Sequence, residues 1–127
     1  MRREFSRRRF AEVSKYFKGE KGVLWGPVVL SFDAVMCALQ RAVIDVKGIR
    51  VIEQLRREKR LYFDTLVKIL KDEGLIGTDE LKELEILKDL RNRVVHEDYH
   101  PTKQHALWAY EVARTFIAKR YPEALKA

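Results

Sequence analysis

Apolar positions in this chain recur at spacings of three and four over several long stretches, and no stretch alternates apolar and polar residues as a strand would. From Val28 to Val46 the stripe is Phe32, Val35, Met36, Leu39, Val43 and Val46, with Asp33, Gln40, Arg41 and Asp45 on the other faces. Gly48 interrupts it. From Ile49 to Glu73 the pattern predicts a second long helix with Ile52, Leu55, Tyr62, Leu66 and Ile69 as its stripe, although Arg56 to Arg60 in its middle carry no apolar side chain. Gly74 and Gly77 mark a stop and a short connection. Thr78 is then expected to cap a helix from about Asp79 to Val95, with Asp79 and Glu80 at its positive end. Leu84, Leu87, Leu90 and Val94 form its stripe. Pro101 or Thr102 opens a last helix, with Leu107, Tyr110, Ala113 and Ile117 inward, Trp108 and Phe116 widening the apolar face, and a stop at Tyr121-Pro122.

Ahead of these, Arg2 to Phe17 reads as a short amphipathic helix with Phe10, Val13 and Phe17 on one side. Gly19 to Gly26 reads as a loop, and Pro27 suits the first position of the helix that follows. Trp25, in that loop, is either a plug over the end of the bundle or a surface on which a base could stack. The whole pattern predicts an all-α fold. It is expected to be an antiparallel, up-down four-helix bundle over residues 27–127, with an additional basic N-terminal helix and linker over residues 1–26.

A chain of 127 residues fits one domain and is long enough to bury a core without disulfides or metals. Its single cysteine, Cys37, lies in an apolar helical run, so no disulfide is possible within one chain. With no apolar signal segment behind the basic start, a cytoplasmic location is expected. The longest apolar stretch, Gly22 to Leu30, is too short to span a bilayer and is broken by Pro27, so no membrane insertion is expected. The net charge is +7, and its distribution is uneven. Residues 1–21 hold eight Lys or Arg against Glu4, Glu12 and Glu20, which is +5 of that total. A positive segment of this kind favours polyanions such as RNA or an anionic surface, or else is a solvated face. The Arg56 to Arg60 run carries the same two readings.

Chemistry concentrates in Asp89 to Pro101, where the helix ending near Val95 runs into Arg91, Asn92, Arg93, His96, Tyr99 and His100. Each helical residue advances about 100°, so Asn92 and His96 share a face, whereas Arg91 and His96 stand about 140° apart. Those two converge only if the helix loosens before His96 or if a second copy of the chain supplies half of the site. A permanent cation, an amide and an imidazole are the set that phosphate chemistry uses.

Arg91-Asn92, three further residues and His96, at the end of a helix in a short, basic, all-helical chain, resemble the R-x4-6-H signature of the HEPN superfamily. The resemblance covers about residues 28–120, with its sharp part confined to Arg91 through Tyr99. In HepT-type members the motif continues as H-x-Y, whereas here Tyr99 follows His96 by three positions. The resemblance implies a metal-independent endoribonuclease, of a superfamily that includes toxins of toxin–antitoxin pairs, that acts on RNA as a homodimer, or a binding module that holds RNA, a nucleotide or a nucleotidyltransferase partner without cutting. It also implies roles: His96 moves protons, Arg91 holds the phosphate, and Asn92 orients His96 or the scissile group. An antitoxin would be the other expected partner. Arg93, Tyr99, His100 and Lys103 flank the motif as candidates for holding substrate, with Tyr99 open to a second reading as a cap on the bundle. No cofactor is expected.

His96 and His100 would share a face if the helix ran past Tyr99, but Pro101 disfavours the helical conformation at His100, and no metal site is expected. His105, inside the last helix, reads as a surface or packing residue that could face the same cleft. No glycine-rich phosphate loop, nucleophile elbow or convincing carboxylate pair is present. Docking of the basic N-terminal helix on a membrane is the remaining, weakest alternative.

Overall fold

The computed structural model describes residues 24–97 and 99–125; the expected basic helix from Arg2 to Phe17 lies outside them. Among the described residues the chain forms five α-helices and a 3-10 turn, with no strand: α1 (Trp25–Lys47), α2 (Ile49–Arg57), α3 (Phe63–Asp72), α4 (Thr78–His96), α5 (Lys103–Arg120) and the turn Pro122–Leu125. The fold is all-α, as the periodicity predicts.

α1 is the axis of the fold and packs against each of the other four α-helices. Val28, Ala34, Val35, Leu39 and Val43 are wholly buried along it, and each valine or leucine so placed contributes about 1.5–3 kcal/mol. Asp33 and Arg41 interrupt the apolar sequence without ending the helix. By length and composition α1 could cross a bilayer, with mean hydropathy 1.5 over its most apolar window, but 56% of that window is buried inside the fold. It also starts earlier than expected: Trp25 is its first residue and not a loop residue, and Pro27 is its third. Proline is tolerated there because the first-turn N–H groups have no partner within the helix anyway.

The expected helix from Ile49 to Glu73 is two helices. α2 ends at Arg57, where Arg60 N–H donates to the Leu55 carbonyl (2.8 Å) and Lys59 N–H to that of Arg56 (3.1 Å). These two bonds, with Lys59 at φ 56°, make a Schellman stop in which lysine takes the left-handed position usually given to glycine. The same pair of bonds closes α3, from Leu75 to Leu70 and from Gly74 to Lys71, both 2.9 Å, with Gly74 at φ 73°. One stop carries its glycine and the other does not.

The break changes the topology. A continuous helix over those residues would carry Glu73 roughly 35 Å from Lys47, yet the two side chains form an ion pair at 3.0 Å. α2 therefore runs back along α1 and α3 returns. The start of α3 lies against the first half of α1, where Phe63 and Phe32 have ring centroids 5.7 Å apart. The break also resets the helical phase: Phe63, Leu66, Val67 and Leu70 are buried, while Tyr62 is 59% exposed.

α4 runs antiparallel to α1 and α5, as its contacts at both ends show. Its start is tied to the end of α5 by Arg120 and Glu80, and its end meets the start of α1. Gly77, not Thr78, occupies the position before α4, with no side-chain cap. Leu84, Leu87 and Leu90 are buried as the stripe predicts. α5 buries Ala106, Ala109, Val112, Ala113, Phe116 and Ile117, while Leu107 is 40% exposed. Ala113 and Ile117 face inward as expected, whereas Ala106 and Ala109 take the places expected of Leu107 and Tyr110, because alanines that score weakly as hydrophobes let α5 approach α1 closely.

Candidate active site

The azimuth of α4 is set by Leu84, Leu87 and Leu90, and the burial of that stripe decides where the motif residues face. Arg91 is half-buried and turned towards α1, with its guanidinium carbon 5.5 Å from the centre of the Phe32 ring. Nη1 donates to Asn92 Oδ1 at 3.1 Å. Nε is buried and finds no acceptor among the described residues. A buried donor without an acceptor is uncommon in native proteins and calls for a reason.

His96 is the last residue of α4. The helix does not loosen before it, and the next turn closes with Glu97 N–H on the Arg93 carbonyl at 3.0 Å. The 140° divergence from Arg91 therefore stands within one chain. The side chain of His96 is exposed. Arg91 and Asn92 are brought together; His96 is not brought to Arg91. Arg93 and His96 both lie in the last turn, where the negative end of the helix favours positive charge.

α4 ends at His96, with Glu97 already outside helical geometry at φ −121°, and Pro101 disfavours any return to helix at His100. Tyr99 N–H instead folds back onto the Arg93 carbonyl at 3.3 Å. Of the candidate substrate-binding residues, Arg93 places its guanidinium carbon 4.9 Å from the centre of the Tyr99 ring. The Tyr99 hydroxyl lies 3.1 Å from His105 Nδ1. His105 also completes a capping box on α5: its N–H donates to Thr102 Oγ1 at 3.1 Å, and Thr102 N–H points at His105 Nδ1 at 3.4 Å. Because a backbone N–H can only donate, Nδ1 accepts there, and the tyrosine hydroxyl supplies the other proton. Tyr99 thus ties the end of α4 to the start of α5 and also lines the groove beside it. His100 and Lys103 are exposed, Lys103 as the first residue of α5.

Beside this turn an open groove of about 400 Å³ is lined by Trp25, Val94, Val95, Tyr99 and His100. Trp25 is 53% and Val95 45% exposed. The importance of Phe32 as the platform for Arg91 has no local signal in the sequence. Its seven-residue spacing from Trp25, which puts both on one side of α1, is the one hint. The role of His105 is foreshadowed by Thr102 three residues before it, though a capping box ordinarily carries Glu or Gln at that position.

Comparison with known proteins returns no significant match, whether to a family model, a curated protein or a solved structure.

Proposed function

We propose that the protein is a HEPN-like, metal-independent endoribonuclease that works as a homodimer. The observation that carries this is the end of α4: Arg91 and Asn92 paired on Phe32, with a buried Nε that finds no acceptor among the described residues, and His96 exposed on another side of the same unbroken helix. One chain has the cation and the imidazole facing apart. Two copies meeting along α4 would set Arg91 of each beside His96 of the other. α1, α4 and α5 supply three full-length helices of a four-helix arrangement, and the α2–α3 hairpin stands in the place of the fourth.

In such a cleft one His96 takes the proton of the ribose 2′-hydroxyl as the 2′-oxygen bonds to phosphorus. The bond from phosphorus to the 5′-oxygen breaks, and the second copy's imidazolium gives its proton to that oxygen. Arg91 neutralises the charge that builds on the non-bridging oxygens. The products are a 2′,3′-cyclic phosphate and a 5′-hydroxyl. Such an activity acts where RNA is, in the cytoplasm, and would suit the toxin of a toxin–antitoxin pair whose partner covers α4.

The test is cleavage of a mixed-sequence RNA in EDTA by wild type, Arg91→Ala and His96→Ala, with each variant checked for folding. Cyclic-phosphate ends made by wild type and lost in both variants support the nuclease. Cleavage that survives His96→Ala removes it. A second reading, a module that binds RNA without cutting, is favoured by one feature: the groove beside Tyr99 does not contain His96.

A further inference from the structure

The groove at the end of α4 has a chemical direction. On α1, Trp25 and Phe32 are seven residues apart, so they lie on one side and about 10 Å from each other along the axis. On α4, Arg91 precedes Val94 and Val95 by three and four residues, which places it one turn further down the same face. Trp25 stands across from Val94 and Val95, and Phe32 stands across from Arg91. The seam between the two helices therefore begins with an exposed indole and ends with a guanidinium.

Cations continue beyond it. Lys88, shared with Asp64 at 3.1 Å, lies 5.4 Å over the Phe63 ring, which itself packs on Phe32. The exposed run Arg56 to Arg60 and Tyr62 immediately precede Phe63, so that basic turn lies towards the Arg91 side of the molecule. At the groove end Arg93 covers Tyr99. Among the described residues that line the groove none is acidic.

An apolar seat about the size of a small-ligand pocket, open to solvent, with cations leading away from it, matches an unpaired base joined to a run of phosphates. A duplex keeps its bases stacked inside and has no free face to offer. An apolar peptide would fill the seat but would make no use of the charge of Arg91 and Arg93 beside it. We infer that this groove seats one unpaired nucleobase of a single-stranded RNA, stacked on Trp25, with its phosphates following α4 towards Arg91. The inference rests on the RNA site proposed above and names its substrate class: unpaired segments, with Trp25 as the residue that selects them.

The test uses the full chain carrying His96→Ala, so that RNA stays uncut, and a labelled ten-nucleotide unstructured RNA followed by anisotropy. The same RNA annealed to its complement serves as the duplex, and light scattering gives the mass of each variant. The single strand is expected to bind more tightly than the duplex. Adding Trp25→Ala is expected to weaken single-strand binding about ten-fold, the worth of one stacked base, with Trp25→Phe keeping most of the affinity and neither changing the mass. Equal binding of strand and duplex, or binding indifferent to Trp25→Ala, overturns the inference. A mass that falls on Trp25→Ala while RNA affinity holds assigns the groove to a second copy of the chain instead. Failure of the nuclease proposal is separate: a wild type that cuts nothing, yet binds single strands in a Trp25-dependent way, removes the catalysis and keeps the base seat.

Discussion

Two arginines stacked on phenylalanines mark opposite ends of the molecule, and they are held differently. Arg120 lies 4.2 Å over Phe116, forms a two-point pair with Glu80 at 2.7 Å for each bond, and donates to the carbonyls of Phe116 and Leu75. With side chains 13% and 17% exposed, the pair works as a clamp between α4 and α5. Beside it the Tyr121 hydroxyl donates to Asp45 at 2.7 Å. Arg91 has the same kind of ring beneath it, but among the described residues its one hydrogen-bond partner is the amide of its own neighbour. A guanidinium whose terminal N–H groups are all used, as at Arg120, holds a fold; one with terminal donors to spare, as at Arg91, can also hold a phosphate.

Cleavage should separate the two most. Arg91→Ala and His96→Ala are expected to lower RNA cleavage by about 10³-fold each, the scale of losing a proton-transfer or charge-stabilising group. Glu80→Ala should leave the rate within a few-fold where the protein stays folded. Stability should divide them the other way. Glu80→Ala leaves the Arg120 charge with only two carbonyls and should cost about 3 kcal/mol by urea denaturation. Arg91→Ala, which gives up a stacking contact and no ion pair, should cost about 1 kcal/mol or less. Equal losses for Glu80→Ala and Arg91→Ala would make both arginines structural and end the contrast.

Tyr99→Phe sharpens the same line within the candidate site. Losing its bond to His105 should cost about 1 kcal/mol of stability while sparing single-strand binding, because the ring stays. A fall in RNA affinity with stability unchanged would instead give the hydroxyl a role on substrate. The smallest effect concerns the two helix stops. Lys59→Gly should raise stability by about 0.5–1 kcal/mol, since it relieves a left-handed residue, and Gly74→Ala should lower it by a similar amount. A Cβ at Gly74 meets nothing within 4 Å, so its cost is that of the backbone alone. Equal and opposite shifts in the urea midpoint would confirm that the two stops differ only in their residue.

That pair of stops also shows how far the sequence can be read. Gly74 announces its turn, because glycine is the residue a left-handed position favours. Lys59 announces nothing, so a run of residues with helical periodicity on both sides reads as one helix, and Tyr62 is expected inward where it is exposed, while Phe63, Val67 and Leu70 are buried outside the expected stripe. Leu84, Leu87 and Leu90 were legible because no break intervenes within α4. At the site, the divergence of Arg91 from His96 could be read from helical spacing, whereas the bond between the neighbours Arg91 and Asn92 could not, since adjacent helical residues stand about 100° apart. The Phe32 platform and the His105 bond to Tyr99 could not, because they join residues of different elements.

By itself the sequence determined that the chain is helical, where most helices start and stop, and that a cation, an amide and an imidazole share the end of α4. These follow from spacing and from capping, which act over a few residues. Tertiary structure alone decided that α2 and α3 fold back on each other, that α4 opposes α1 and α5, that Arg91 lies on Phe32, and that Trp25 and Tyr99 line one groove. Such facts depend on which faces are buried together, and no local stretch of sequence carries that information.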